Sequence, residues 1–308
     1  MIRAMSLISD DFSKTRLSSS INSLCSMKDI DLYSLSSGSI ENIQNNYESC
    51  LKYNPFKNYN NIIIYGQLER TSSYLDNRNV LYLEEDLLRD PDFYYIDNDG
   101  WNGDSGLVKF AKNKEEPDIS SRDEVLSYIE NIQNIEMFSG PKEGGHILVC
   151  LQSLEEQDMR LLELVNEHLG KQEIRIVYFP EKRKNPNTRT REYINKKSWE
   201  IQESASYLES LSQARAVVTN FGDIAIDAMI RGIPCATCMN GCYTNSHSTF
   251  ECKNNSKMLK YLLEYQFDRE AAERMLISIY KSRIAKNTPI DDILENVNIA
   301  SWIVSLRR

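Results

Sequence analysis

Residues 146–165 constrain the fold of this chain more than any other stretch. The run Ile147 to Leu151 is apolar and short, as in a strand buried on both faces. It stops at Gln152, passes three carboxylates (Glu155, Glu156, Asp158), and gives way to a helical spacing of apolar residues: Met159, Leu161, Leu162, Leu164 and Val165. A buried strand that runs at once into a helix is half of a βαβ unit, and a chain built of such units folds as a parallel sheet covered by helices.

The same alternation runs through most of the sequence. Strands are expected at Asp31–Leu35, Ile62–Tyr65, Asn79–Leu83 and Tyr94–Ile96, and a helix at 121–135. A second helix is expected over 40–51. Beyond it come strands at Ile174–Phe179, Ala216–Thr219 and Cys235–Cys238, with helices at 156–168, 204–213 and 224–230. The basic stretch Glu181 to Arg191 reads as a loop, and the sequence from Lys257 onward as helical with short breaks. At 308 residues the chain exceeds what one core organises. The Gly- and Pro-rich segment 138–145 is the best linker candidate. The expected architecture is α/β, with two Rossmann-like domains facing a cleft: an N-terminal one over 1–140 and a C-terminal one over 141–308 carrying the last helices.

Chemistry is expected where strands end, because open α/β sheets bind ligands outside the carboxyl ends of their strands. Four places qualify. One is Gln152 to Asp158, read either as reactive carboxylates or as acids complementing a helix dipole. The second is the turn Asn220-Phe221-Gly222 leading into a helix. It reads as a phosphate site on free helix amides with Asp227 toward a ribose, or as a plain strand–helix connection. The third is Glu84-Glu85-Asp86 with Arg89, either a second acidic strand end or a solvated loop. The fourth, Asp97 to Asp104, lacks the glutamate of a calcium loop and reads as a turn. The basic loop carries Lys182 and Arg183 and is suited to a phosphate or an acidic sugar.

Several classes are excluded or weakened. A net charge of −9 argues against a general nucleic-acid binder. No apolar run is long enough for a membrane span and the first residues lack the core of a signal peptide, so a cytoplasmic location is expected. No Gly-x-Ser-x-Gly elbow, Walker loop or Gly-x-Gly-x-x-Gly occurs. Of seven cysteines, Cys235, Cys238, Cys242 and Cys252 are clustered near His247, but Cys235 and Cys238 sit in an apolar segment where buried thiols are the simpler reading than a metal site. The end of the chain, Trp302 to Arg308, reads as a helix packed on the other domain, with contact to a bilayer surface as the alternative.

In this order the motifs resemble those of the bacterial capsular-polysaccharide β-Kdo transferases. Tyr65-Gly66-Gln67, Glu84-Glu85-Asp86-Leu87-Leu88-Arg89, Asp97-x-x-Gly100-x-x-x-Asp104, Gln152-x-x-x-Glu156-x-Asp158, Asp227-Ala228-Met229-x-x-Gly232-x-Pro234 and Gly241-x-Tyr243 through Thr249 each match a segment of that family. Phe179-Pro180 stands where the family has His-Pro, Asn220-Phe221 where it has Ser or Thr, and Asp86 where it has Gly. The resemblance implies a GT-B-like fold and a retaining enzyme that takes Kdo, or a related acidic sugar, from a CMP-linked donor to a surface-glycan or glycolipid acceptor. It implies Glu156, with Asp158 the near alternative, as nucleophile, and Glu84 or Glu85 as acid/base. CMP is then expected on the C-terminal domain, near Gln152, Pro180, Lys182, Asn220, Phe221, Gly222 and Asp227. Arg89 or Arg183 is expected to hold the sugar carboxylate. No metal or other cofactor is expected, and the site of action is the cytoplasm, with the inner face of the bacterial membrane as a variant. A sialyl- or other nucleotide-sugar transferase, or a non-catalytic glycan-assembly subunit, is the alternative.

Overall fold

A computed structural model describes residues 2–37, 59–65, 79–98, 119–151, 155–178, 188–202, 207–239, 241–252 and 255–306. The helix expected over 40–51 lies outside these residues. The chain forms two compact units, one of residues 1–110 with 278–308, the other of 111–277.

In the first unit, strands β1 (Ile2–Ser9), β2 (Ile30–Ser37), β3 (Asn61–Tyr65), β4 (Asn79–Glu85) and β5 (Phe93–Asp97) are joined by a late strand, β12 (Arg283–Ala285). The sheet order is β12-β5-β4-β3-β1-β2. Strands β2, β1, β3 and β4 run parallel. β5 instead pairs antiparallel with β4, and β12 antiparallel with β5. The seven residues between β4 and β5 are too few for a crossover, so the chain must reverse. β1 was not foreseen: its polar Arg3 and Ser6 blur an otherwise strand-like run.

The end of the chain belongs to this unit, not to the second as the division 141–308 supposed. The reason is apolar. The last helix, Val297–Ser305, buries Ile299, Trp302 and Ile303 against a core that includes Ile63, Leu81 and Ile96. The Trp302 indole N–H donates to the Asn79 carbonyl of β4 at 3.3 Å. Trp302 is fully buried, so it is not the membrane-touching residue of the alternative reading. Asn296 caps this helix, accepting from the backbone N–H groups of Asn298 and Ile299 at 3.1 and 3.2 Å. Asn296→Ala is expected to lower stability by about 1 kcal/mol, read as a drop of about 2–4 °C in melting temperature.

The second unit holds β6 (His146–Leu151), β7 (Ile174–Tyr178), β8 (Glu200–Gln202), β9 (Ala214–Thr219), β10 (Cys235–Thr237) and β11 (Phe250–Glu251). Their order is β11-β10-β9-β6-β7-β8, with all pairings parallel. β6 is buried along its whole length, as its unbroken apolar run requires. The helices include Ile119–Gln133, Glu155–Leu169, Thr188–Lys196, Tyr207–Ser212 and Ile224–Arg231. Arg189 and Arg191 therefore stand on a helix, where a loop was expected.

Segment 138–145 lies inside this unit and is not the linker. The backbone N–H groups of Phe138 and Gly140 donate to the carbonyls of Ile230 and Arg231, both at 2.9 Å. Gly232 makes this docking possible. It ends the helix at φ 73°, and a Cβ there would meet the Phe138 Cα at 3.1 Å.

Candidate functional site

The topology of the second unit points to one place. From β6 the chain winds outward to β7 and β8 on one side, then returns to β9 on the other side of β6. The strand order thus reverses between β6 and β9, and the crevice at the carboxyl ends of such a pair is where doubly wound sheets bind ligands. Two of the sequence-derived segments follow these strands: 152–158 after β6 and Asn220–Gly222 after β9.

The β9 side is closely tied. The Thr219 hydroxyl donates to the Phe221 carbonyl at 2.9 Å and lies 3.3 Å from the Cys150 carbonyl at the end of β6. Asn220 is buried, and its side-chain nitrogen has no hydrogen-bond partner among the described residues. A buried amide donor without a partner costs free energy, which a ligand or an ordered water reaching it would recover. Gly222 turns the chain at φ 109° into the helix Ile224–Arg231. The first helix amides are less available than expected. Ala225 N–H donates to Gly222, and those of Ile226 and Asp227 to Asp223. The Asn220 side-chain nitrogen is a further donor at this turn.

Asp227, in the first turn, is buried and accepts from the Tyr207 hydroxyl at 3.1 Å. Burial, followed by the Asp227 charge, pushes the Cys150 thiol up, which places this carboxylate beside the end of β6. Tyr207 was not picked out from the sequence: an isolated tyrosine opening a short helix carries no motif.

A polar loop closes over the same turn. Tyr243 is buried and directs its hydroxyl at the Gly222 carbonyl, 3.4 Å away. Thr244, Ser246, Ser248 and Thr249 are buried too. Gly241 N–H donates to the Thr244 hydroxyl at 2.8 Å, and Asn245 N–H to the Glu251 carboxylate. A Cβ at Gly241 would strike the Tyr243 ring at 2.7 Å, so glycine is needed for this packing.

On the β6 side the two candidate nucleophiles diverge. Glu156 is exposed on the first turn of helix Glu155–Leu169, while Asp158 is buried. The Asp158 charge is felt at the end of β7. Burial and then the Asp158 charge push the Tyr178 hydroxyl up, against a Thr190 hydrogen bond and the Arg191 charge that pull it down. At the carboxyl edge of β7, Tyr178 thus hydrogen-bonds with Thr190 and feels the opposite charges of Asp158 and Arg191. Tyr178 escaped the sequence reading, although its place as the last residue before Phe179-Pro180 is the usual position of a site residue. Gln152, Pro180, Lys182 and Arg183 lie outside the described residues.

In the first unit, Glu84 and Glu85 end β4, Glu84 buried and Glu85 exposed. Arg89 is exposed in the following turn at φ 64°. Asp86 is not a solvated acid but half of a buried ion pair with Arg283, at 3.4 Å. Asp97 accepts from the Tyr95 hydroxyl at 2.6 Å, which makes it part of the core packing. Of the cysteines, Cys235, Cys242 and Cys252 are buried and Cys238 half-buried, and no group able to hold a metal ion occurs among the described residues.

No protein-family model and no curated protein matches the chain. Among solved structures it is similar to two described as β-Kdo transferases. Against the Thermosulfurimonas dismutans KpsC β-Kdo 2,7 transferase the TM-score is 0.56 at 14% identity, over 97% of this chain and 100% of that one. Against the KpsC β-Kdo 2,4 transferase of the same organism it is 0.53 at 12% identity, over 97% and 98%. The chain therefore has the α/β, GT-B-like fold of these proteins, with two Rossmann-like units, as expected.

Proposed function

We propose that this chain is a glycosyltransferase that moves Kdo, or a related acidic sugar, from a CMP-linked donor to a glycan acceptor. The observation that carries the reading is the unpartnered, buried Asn220 amide at the β6–β9 switch point, on a fold similar to that of KpsC transferases. Fold alone does not fix function. The ordered match of sequence motifs adds support, as do Asn220 and Asp227 after β9 and Glu156 after β6, the two strands of the switch point.

In this reading the CMP phosphate accepts from Asn220 and the ribose hydroxyls donate to Asp227, which Tyr207 holds in place. Glu156 is the nucleophile: its exposed carboxylate attacks the anomeric carbon, the bond to the CMP phosphate breaks, and a glycosyl ester forms. The acceptor hydroxyl, losing its proton to a base as it attacks, then displaces Glu156, and two inversions give net retention. Arg183 is the candidate for the sugar carboxylate. GT-B chemistry of this kind uses donors aimed at the leaving phosphate rather than a metal.

The test is a thermal shift series with CMP, UMP, UDP and GDP. CMP is expected to stabilise by mass action, about 2.7 kcal/mol at a hundredfold excess over Kd, and Asn220→Ala to weaken that binding about tenfold. Stabilisation by none of the four overturns the nucleotide-sugar reading. That result would favour a second one, a non-catalytic assembly subunit. The closed amides of Ala225, Ile226 and Asp227 and the acid at Asp223 are the features that suit it.

A further inference from the structure

The sheet of the second unit ends in a pair of thiols that the proposed chemistry does not use. β10 and β11 run parallel with Ala236 opposite Phe250 and Thr237 opposite Glu251. The Cys252 N–H donates to the Thr237 carbonyl at 2.8 Å, which continues the ladder one step past both strands. That step sets Cys238 against Cys252. Paired strands lie about 4.8 Å apart, inside the Cα separation of about 4.4–6.8 Å that a disulfide spans. Both thiols are free, Cys252 buried and Cys238 half-buried. A hydrogen bond with Cys238, followed by burial, pushes the Cys252 thiol up. The fully enclosed Cys235, beneath them in β10, is also pushed up, by burial first.

These two residues are the ends of the loop that carries Gly241, Tyr243, Thr244, Ser246, Ser248 and Thr249. That loop touches the Asn220–Gly222 turn through Tyr243 and Gly222. We propose that Cys238 and Cys252 are a peroxide-sensitive dithiol whose disulfide fastens the base of the 239–251 loop. The accessible Cys238 thiol gives up its proton and attacks hydrogen peroxide; the O–O bond breaks, the released hydroxide takes up that proton as water, and Cys238 becomes a sulfenic acid. The Cys252 sulfur then attacks the Cys238 sulfur. The S–O bond breaks, the departing hydroxide takes the Cys252 proton as a second water, and an S–S bond forms. Two thiols are oxidised and one peroxide is reduced. A neighbouring thiol captures the sulfenic acid as a disulfide before it is oxidised further.

The pairing rests on strand register, not on the transferase reading, so either can fail alone. The experiment treats the full-length protein with hydrogen peroxide, blocks remaining thiols with N-ethylmaleimide, and maps the peptides by mass spectrometry. The expected result is a Cys238–Cys252 cross-linked peptide about 2 Da lighter than the reduced pair, reversed by dithiothreitol. It should be lost in Cys238→Ser, whose half-exposed position tolerates the change, and in Cys252→Ala, with circular dichroism confirming that both fold. Both cysteines recovered as maleimide adducts, Cys238 recovered as sulfinic acid without a cross-link, or Cys238 bonded to a different cysteine would each overturn the proposal.

Discussion

Arg283→Met is expected to lower the stability of the first unit by about 3–5 kcal/mol. The Arg283 guanidinium is buried between Asp86 and Asp90, at 3.4 and 3.9 Å, and lies over the rings of Phe93 and Tyr280 at 4.4 and 4.2 Å from the centroids. Removing it leaves the buried Asp86 carboxylate without its countercharge, held by backbone donors such as the Asp90 N–H at 3.1 Å, while its Oδ1 has no hydrogen-bond partner among the described residues. The loss should depend on pH in a defined direction. Burial raises the Asp86 pKa more than Arg283 lowers it. The folded state therefore binds the proton more tightly than the unfolded chain, and Asp86 subtracts stability as pH rises out of the carboxylate range. Without Arg283 that pKa climbs further. The deficit of the variant should be largest at neutral pH and shrink in acid, where Asp86 is protonated. Asp86→Asn combined with Arg283→Met should recover part of the loss, because the stranded charge is gone. Urea unfolding across pH checks this. A deficit below about 1 kcal/mol, or one that does not change with pH, contradicts a buried, interdependent pair.

Glu156→Gln is expected to slow transfer by at least about a thousandfold, equivalent to about 4 kcal/mol in the barrier. Its melting temperature should fall only slightly, because an exposed acid in the first helical turn contributes about 0.3–1 kcal/mol through the helix dipole. Asp158→Asn is a poorer probe of chemistry. Asp158 is buried and its charge is felt at Tyr178, so its replacement disturbs packing and activity together. Activity near normal in Glu156→Gln, with a thousandfold loss in Asp158→Asn, would move the nucleophile two residues along the helix.

How far these residues were legible in the sequence depended on what held them. β6, β9 and the helix Ile224–Arg231 could be read directly, because an unbroken apolar run, a glycine turn and a Gly-x-Pro stop are local signals. β1 could not, since its place beside β2 and β3 comes from long-range pairing that its own polar residues disguise. The same limit explains 138–145. Its glycines and proline look like a linker, yet its hydrogen bonds go to Ile230, Arg231 and Ala214, which no local rule connects to it. Residues 278–308 looked like a tail of the second half until Trp302 and β12 were seen to complete the first core. In the site, the acids after strand ends were visible and their burial was not. Three neighbouring carboxylates in 84–86 look alike in sequence, but the fold exposes Glu85, buries Glu84 and pairs Asp86 with an arginine almost two hundred residues away.

The most direct test is mass spectrometry of the protein incubated with CMP-Kdo and no acceptor. If Glu156 is the nucleophile, CMP is released and one sugar residue appears on the peptide containing 155–169, absent from Glu156→Gln and removed when acceptor is added. CMP-Kdo left intact, or a sugar carried on any other residue, would contradict the account.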